Sequence, residues 1–282
     1  MTQDFRPGRL RQDNDPPKPL DSPEPPPPWR LSDDIVMGLR FFSRLPTGDR
    51  PFEAPDLDRI AHSLAFTSVV IGFPPALLLM LCCWAGMPSF VAATLAVTAL
   101  ALATGAMPED AIADSADGLV GGSSIERRLE IMKDSRHGSY GVIAIVAYFG
   151  LRVAALGSVA AINPLAAGAL WLAVGVLARS GSLWLSLDLA NARQGGASAA
   201  VGRVSRRGFV VSMAFALLVG FVCAAPFTSI VAVLLALIVG ALVALGWSRI
   251  CLKLIGGQTG DLIGALQALL EMTLLAVLVT FA

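Results

Sequence analysis

Charge is what this sequence has least of. Only 15% of its 282 residues are charged, against roughly 25% in soluble domains. Its 21 basic and 21 acidic side chains cancel. With no net positive field, a nucleic-acid partner is not expected. Cysteine is sparse too. Cys82, Cys83, Cys223 and Cys251 form no Cys-x-x-Cys pair, which argues against a zinc or disulfide framework. Small apolar core positions are their expected place. The two histidines, His62 and His137, stand far apart and make no ligand pair along the chain. A cleavable secretory leader is not expected either. The N-terminal stretch is polar, with Pro25 to Pro28 consecutive, and residues 1–32 read as a disordered proline-rich cytosolic tail.

Apolar residues are abundant, at 55%, and they come in blocks. Those blocks are about as long as a helix needs to cross a hydrocarbon core of roughly 30 Å. Seven are visible, near 61–85, 90–107, 142–162, 165–188, 209–223, 227–247 and 262–281. The segment 33–44 places Ile35, Val36, Leu39 and Phe42 near helical spacing and reads as an amphipathic helix at the membrane interface. The expectation is an all-α, polytopic transmembrane helix bundle over residues 33–282, with about seven spans.

The connections alternate in charge. The turns at 86–89, 163–164 and 224–226 hold no Lys or Arg. The segments 107–141, 190–208 and 248–261 are basic, and nine basic residues precede or include Arg59. The positive-inside rule then places the N-terminus and the three basic loops in the cytoplasm. Arg152 and Arg179 fall inside the third and fourth blocks. There they either snorkel to the interface or face a polar pocket open to the cytoplasm.

Three polar segments lie on the basic side. In Glu109-Asp110-Ala-Ile-Ala-Asp114-Ser-Ala-Asp117-Gly118 the aspartates follow at i, i+4 and i+7, within an arc of about 60° on a helix. Stacked carboxylates with no interspersed cation suit a hard divalent ion such as magnesium, which takes oxygen ligands and shares them with substrate phosphates. An acidic helix end at the membrane edge is the plainer alternative. Glu109 points away from that face and is the weaker candidate ligand. Next come Gly121-Gly122, then Arg127 and Arg128, then Lys133-Asp134-Ser135-Arg136. Arg and Lys suit phosphate oxygens, and Asp134 suits a metal or a proton. A solvated mixed-charge loop is the alternative. The third segment, Gly256-Gly257-Gln258-Thr259-Gly260-Asp261, opens the last block. Its amides suit an anion at a helix N-terminus, unless Asp261 simply caps the helix. Glu271 lies within that block and is a functional candidate by its location. One face thus gathers carboxylates, cations and a glycine-rich turn, the requirements for transferring a substituted phosphoryl group from a diphosphate.

These segments resemble the cobalamin synthase family, the adenosylcobinamide-GDP ribazoletransferases. The likeness is carried by Glu109-Asp110-x3-Asp114-x2-Asp117-Gly118 and by Arg128-Leu-Glu-Ile-Met-Lys133-Asp134-Ser-Arg136-x-Gly-x-Tyr-Gly141. Phe41-Phe42-Ser43-Arg44-Leu45-Pro46, Arg179, Arg193 with the glycines after it, and Gly257-Gln258-Thr259-Gly260-Asp261 add to it. It covers the chain from about residue 33 to the end. Two positions depart from the family: Pro108, where a histidine is frequent, and His137, where an aliphatic residue is frequent.

The resemblance implies a magnesium-dependent enzyme of the bacterial inner membrane. It would join adenosylcobinamide-GDP to alpha-ribazole or its 5'-phosphate and release GMP. It implies metal ligation by Asp110, Asp114 and Asp117, with Glu109 less certain. Catalytic roles fall to Asp114, Asp134, Lys133 and Arg136. Substrate contacts fall to Arg127, Arg152, Arg179, Arg193, Gly257, Thr259 and Asp261. The lipid bilayer is the remaining partner, and the oligomeric state stays open, a homo-oligomer included. Two rivals fit less well. CDP-alcohol phosphotransferases show Asp-Gly-x2-Ala-Arg, but here Leu-Val-Gly-Gly follows Asp117-Gly118. A transporter would use Arg152, Arg179 and Glu271 near the midplane, yet the polar residues gather on one side and no inverted repeat is visible.

Overall fold

The computed structural model describes residues 30–48, 54–193 and 201–282. Nearly all of the expected tail lies outside them, and its last two residues, Leu31 and Ser32, already belong to the first helix. That helix, α1 (Leu31–Phe42), carries Asp33 and Asp34 in its first turn and Arg40 in its last, the polarity that a helix dipole favours. It packs on α2 (Leu57–Trp84), which Asp56 caps by accepting from the amides of Asp58 and Arg59. Asp34 is fully buried between the two helices and takes a 2.8 Å contact from the Arg59 guanidinium.

The second apolar block is shorter as a helix than as a sequence. Helix α3 (Ser89–Thr104) has 16 residues, about 24 Å, short of a full crossing. It stops because Gly105 and Ala106 both adopt left-handed backbone, at φ 66° and 57°. The chain then bends by 85° into α4 (Met107–Gly121), the expected acidic helix. The Phe41–Pro46 segment braces this corner. The Arg44 amide donates to Ala103 O at 2.7 Å, and its side chain covers Gly105, where an added Cβ would meet Nε at 2.4 Å.

A short charged helix, α5 (Ile125–Ile131), precedes α6 (Ser139–Ile162). Asn163 caps α7 (Pro164–Ser182), with Pro164 at the position where a missing amide costs nothing. The fourth block was read as one run to Asp188. It is one span over Pro164–Asp188, with a single turn at Leu183 between α7 and α8 (Trp184–Asp188). Helices α9 (Arg206–Ala224), α10 (Ile230–Ile255) and α11 (Gly260–Val279) complete the bundle, each capped by a hydroxyl: Ser205, Ser229 and Thr259.

Six of these helices are long and apolar enough to cross a bilayer, and the bent pair α3–α4 makes a seventh if it counts as one span. Helix α7 is the hub: 78% of its apolar window is buried, against 28% for α6, α9 and α10. Ala166, Ala167, Gly168, Ala173 and Ala178 let α2, α9 and α11 approach it closely. The outer helices instead expose Ile143, Val146, Val222, Val231 and Leu242. In water such a surface would aggregate, and a lipid surround explains it. Among the described residues, β structure is limited to the bridge Asn191↔Gln258.

Candidate active site

Helix α4 and its three aspartates pack against α11, α6 and α5. Asp110 and Asp114 point the same way, as their spacing requires, and His137 from the α5–α6 turn comes to meet them. Ligand atoms of these three side chains all lie within 4.8 Å of one another. Asp110 is exposed, and Asp114 is mostly covered, at 14% of its side chain. Asp261, at the start of α11, lies close enough to act on Asp114 electrostatically.

Asp117 has a different task. Its Oδ2 accepts from the Gly138 amide at 2.6 Å, and its Oδ1 from the Gly141 amide at 2.9 Å. Both oxygens are therefore occupied in holding the start of α6 against α4, where a carboxylate also meets the positive end of the helix dipole. The two glycines are needed for the approach: an added Cβ would stand 2.6 Å from Oδ1 at Gly138 and 2.3 Å from Oδ2 at Gly141. Glu109 leaves the group altogether. It turns into the bundle, 7% exposed, where Arg152 Nη1 reaches its Oε1 at 3.3 Å.

That contact belongs to a buried network. Arg152 Nε lies 3.5 Å from Glu271 Oε2, the same oxygen that accepts from the Tyr148 hydroxyl at 2.5 Å. Gln267 donates to the other oxygen at 2.9 Å. The guanidinium also stacks over Tyr148, 4.7 Å from the ring centre. Arg152 and Arg179 are each only 4% exposed, so neither snorkels to the surface. Arg152 is matched by two carboxylates. Arg179 stacks 5.7 Å from the Phe42 ring centre, with its Nε lacking a hydrogen-bond partner. Arg152, Arg179 and Glu271 line one internal cavity of about 30 Å³, room for a water with several polar partners.

The remaining candidates sit around the mouth. Asp134 and Arg136 pair with each other, at 2.8 Å and 3.1 Å. Those hydrogen bonds hold the exposed Asp134 carboxyl down at about 2, which makes it a poor proton acceptor. Lys133 is exposed beside them. Arg127 pairs with Glu130 at 2.6 Å on the outer face of α5. Its neighbour Arg128 ties α5 inward, donating to Leu119 O and Leu254 O.

Arg193 donates to Leu129 O and lies near enough to Asp261 to offset its charge. Its Nε has no acceptor among the described residues, and the glycines after it lie outside them. Gly257 is glycine because segment 190–192 runs against it: an added Cβ would stand 2.6 Å from Ala190 O. The cap of α11 is Thr259 and not Asp261, since Thr259 Oγ1 accepts from the Leu262 amide. Asp110, Asp261 and Gln267 line a cavity of about 250 Å³ whose other walls, including Phe41, Phe42 and Met107, are largely apolar. Sequence reasoning noted His137 only as a departure from the family and gave no role to Tyr148 or Gln267. For the last two a signal existed, since Tyr148–Arg152 and Gln267–Glu271 are both i, i+4 pairs.

Fold and site define a multi-pass helical membrane protein whose acidic, histidine-bearing cleft opens at one end of the bundle. Its sequence matches the model of the cobalamin-5-phosphate synthase family over residues 34–279. The chain belongs to that family. It is 40% identical over 257 residues to the adenosylcobinamide-GDP ribazoletransferase of Azorhizobium caulinodans, an alignment covering 90% of this chain and 97% of the relative. To the enzyme of the same name from Xanthobacter autotrophicus it is 41% identical, over 84% of this chain and 92% of the relative. For that of Allorhizobium ampelinum the figures are 38%, 86% and 95%. No solved structure matches the chain.

Proposed function

We propose that this protein transfers the adenosylcobinamide phosphate group from adenosylcobinamide-GDP to alpha-ribazole or alpha-ribazole 5'-phosphate. The products are adenosylcobalamin or its 5'-phosphate, and GMP. This is the last step of nucleotide-loop assembly in cobalamin biosynthesis. The observation that carries the reading is the meeting of Asp110, Asp114 and His137 within 4.8 Å at the cleft, in a chain of this family.

The donor set fits a divalent ion, and Asp110 and Asp114 are the residues that would hold magnesium. When bound, that ion supplies charge neutralisation on the diphosphate. The chain's own groups do the rest. Lys133 and Arg136, both exposed at the mouth, meet the phosphate oxygens of the donor. The Asp114 carboxylate, mostly covered and without a hydrogen-bonded cation, takes the proton of the attacking ribazole hydroxyl. Asp134 is too weak a base for that step while paired to Arg136. As the new P–O bond forms at the cobinamide-side phosphorus, the bond to GMP breaks. The apolar cavity beside Asp110 excludes water, which would otherwise hydrolyse the donor. We place the enzyme in the bacterial inner membrane, with this cleft on the cytoplasmic side, from the basic loops that carry it.

The test is GMP release by detergent-solubilised protein supplied with adenosylcobinamide-GDP and alpha-ribazole, with and without magnesium. Magnesium-dependent GMP appearing in step with cobalamin supports the reading. Intact, folded protein that yields no GMP refutes it.

A further inference from the structure

Of the three aspartates on the acidic helix, Asp117 is the one tied to the backbone of a neighbouring element. Asp117 has both oxygens in short bonds to the Gly138 and Gly141 amides. Those bonds draw the residue just before Gly138, His137, over Asp110 and Asp114. Its Nε2 lies 3.8 Å from Asp110 Oδ1, and its Nδ1 lies 3.7 Å from Asp114 Oδ1. Neither distance is a hydrogen bond. One imidazole binds an ion through one nitrogen, and one ligand atom from each of the three side chains lies within 4.8 Å of the others, a spacing that an ion can bridge. Donors at about 2.1 Å from a six-coordinate metal stand roughly 3.0 Å apart when adjacent and 4.2 Å when opposite. The ring also faces one carboxylate with each nitrogen.

We propose that His137 is the third protein ligand of the cleft and that Asp117 is its positioning residue. The resident site is then two carboxylates and one imidazole, in place of three carboxylates. A nitrogen donor favours first-row transition ions over magnesium. The cleft therefore takes Mn²⁺ as well as the magnesium that the transferase reading assigns to it. The inference rests on reading this cleft as the transferase site, but it is tested by binding alone.

The experiment is Mn²⁺ titration of the purified full-length protein in detergent, followed by pulsed EPR of the bound ion. The chain holds only two histidines, so selective ¹⁵N-histidine labelling leaves little ambiguity. The expected result is a nitrogen coupling that changes with the label, persists in His62→Gln and disappears in His137→Leu. In His137→Leu the Mn²⁺ dissociation constant rises about tenfold, while that of Mg²⁺, read by competition, moves less than twofold. Bound Mn²⁺ without histidine coupling in the wild-type protein overturns the proposal, as does failure to bind Mn²⁺. The wild-type spectrum stands by itself should His137→Leu fold poorly. The two readings also fail separately. Coupling without GMP release sinks the transferase alone, and GMP release without coupling sinks the ligand assignment alone.

Discussion

Single residues decide the chemistry of the cleft. Asp114→Asn keeps the size of the side chain and removes its charge. GMP release should fall at least about a hundredfold, the usual contribution of a proton acceptor, with the protein still inserted and folded by circular dichroism. Gly141→Ala acts one step away. Its Cβ would stand 2.3 Å from Asp117 Oδ2, so α6 must shift off α4 and carry His137 with it. We expect Gly141→Ala to lower turnover and Mn²⁺ affinity together, by about tenfold for the affinity. Gly150→Ala, with nothing within 4 Å of the new Cβ, should change neither.

Arg152 belongs to stability instead of to the mouth. Removing one member of a buried charge pair costs about 3–5 kcal/mol, because the other members are left uncompensated. Arg152→Ala should therefore lower the midpoint of thermal unfolding in detergent sharply. Arg152→Met with Glu109→Gln and Glu271→Gln should recover much of that loss.

At the level of elements, hydropathy was a good guide to where helices lie and a poor one to where they stop. Asp56 caps α2 ahead of the first apolar block, so the helix begins at Leu57, within the polar stretch. Gly105, with Pro108 and Glu109-Asp110 just beyond it, signals that α3 stops here, but the apolar pattern does not give the 85° angle at which the chain continues. Its cause is two left-handed residues and the Arg44 side chain packed on them, contacts that span some sixty positions of sequence. Gly105→Ala should strain this corner, costing roughly 1–2 kcal/mol for the left-handed backbone alone, and the clash with Arg44 adds to it. Hydrogen exchange at the start of α4 should report the loosening.

The same limit explains the cleft. The i, i+4, i+7 spacing correctly put three aspartates on one helix, but spacing is silent on what each carboxylate meets. Gly138 and Gly141 reach Asp117 from a separate element, and that contact separates a tether from two free carboxylates. His137 departs from the family pattern in residue type, and its place beside Asp110 depends on a turn whose path no local rule predicts. Glu109 was legible as the weaker ligand from its direction on the helix, whereas its partner Arg152 lies 43 positions further on.

Over the whole molecule, the seven apolar blocks and the alternation of basic and uncharged connections were enough to read a polytopic bundle. They did not by themselves mark α7 as the buried hub, although its apolar window is the least apolar of the six spans and rich in small residues. Topology remains a direct test. Single cysteines at Ser135, Arg207 and Arg249, in a background lacking the four native ones, should all react with a membrane-impermeant thiol reagent from the cytoplasmic side. A cysteine at Gly86 should react from the opposite side. Mixed sidedness among the first three would break the assignment of the cleft to one face.

The Glu109–Arg152–Glu271 network also bears on how the chain is made. Arg152 leaves the ribosome 119 residues before Glu271, an interval on the order of ten seconds at ordinary rates of synthesis. During that time its charge has to be tolerated in the bilayer without its C-terminal partner. Glu109 has already been synthesised and sits on the neighbouring helix, so the first pair can form while α11 is still inside the translation machinery. Each successive stage of insertion can then carry a neutralised arginine, and the last helix to arrive closes the network instead of starting it.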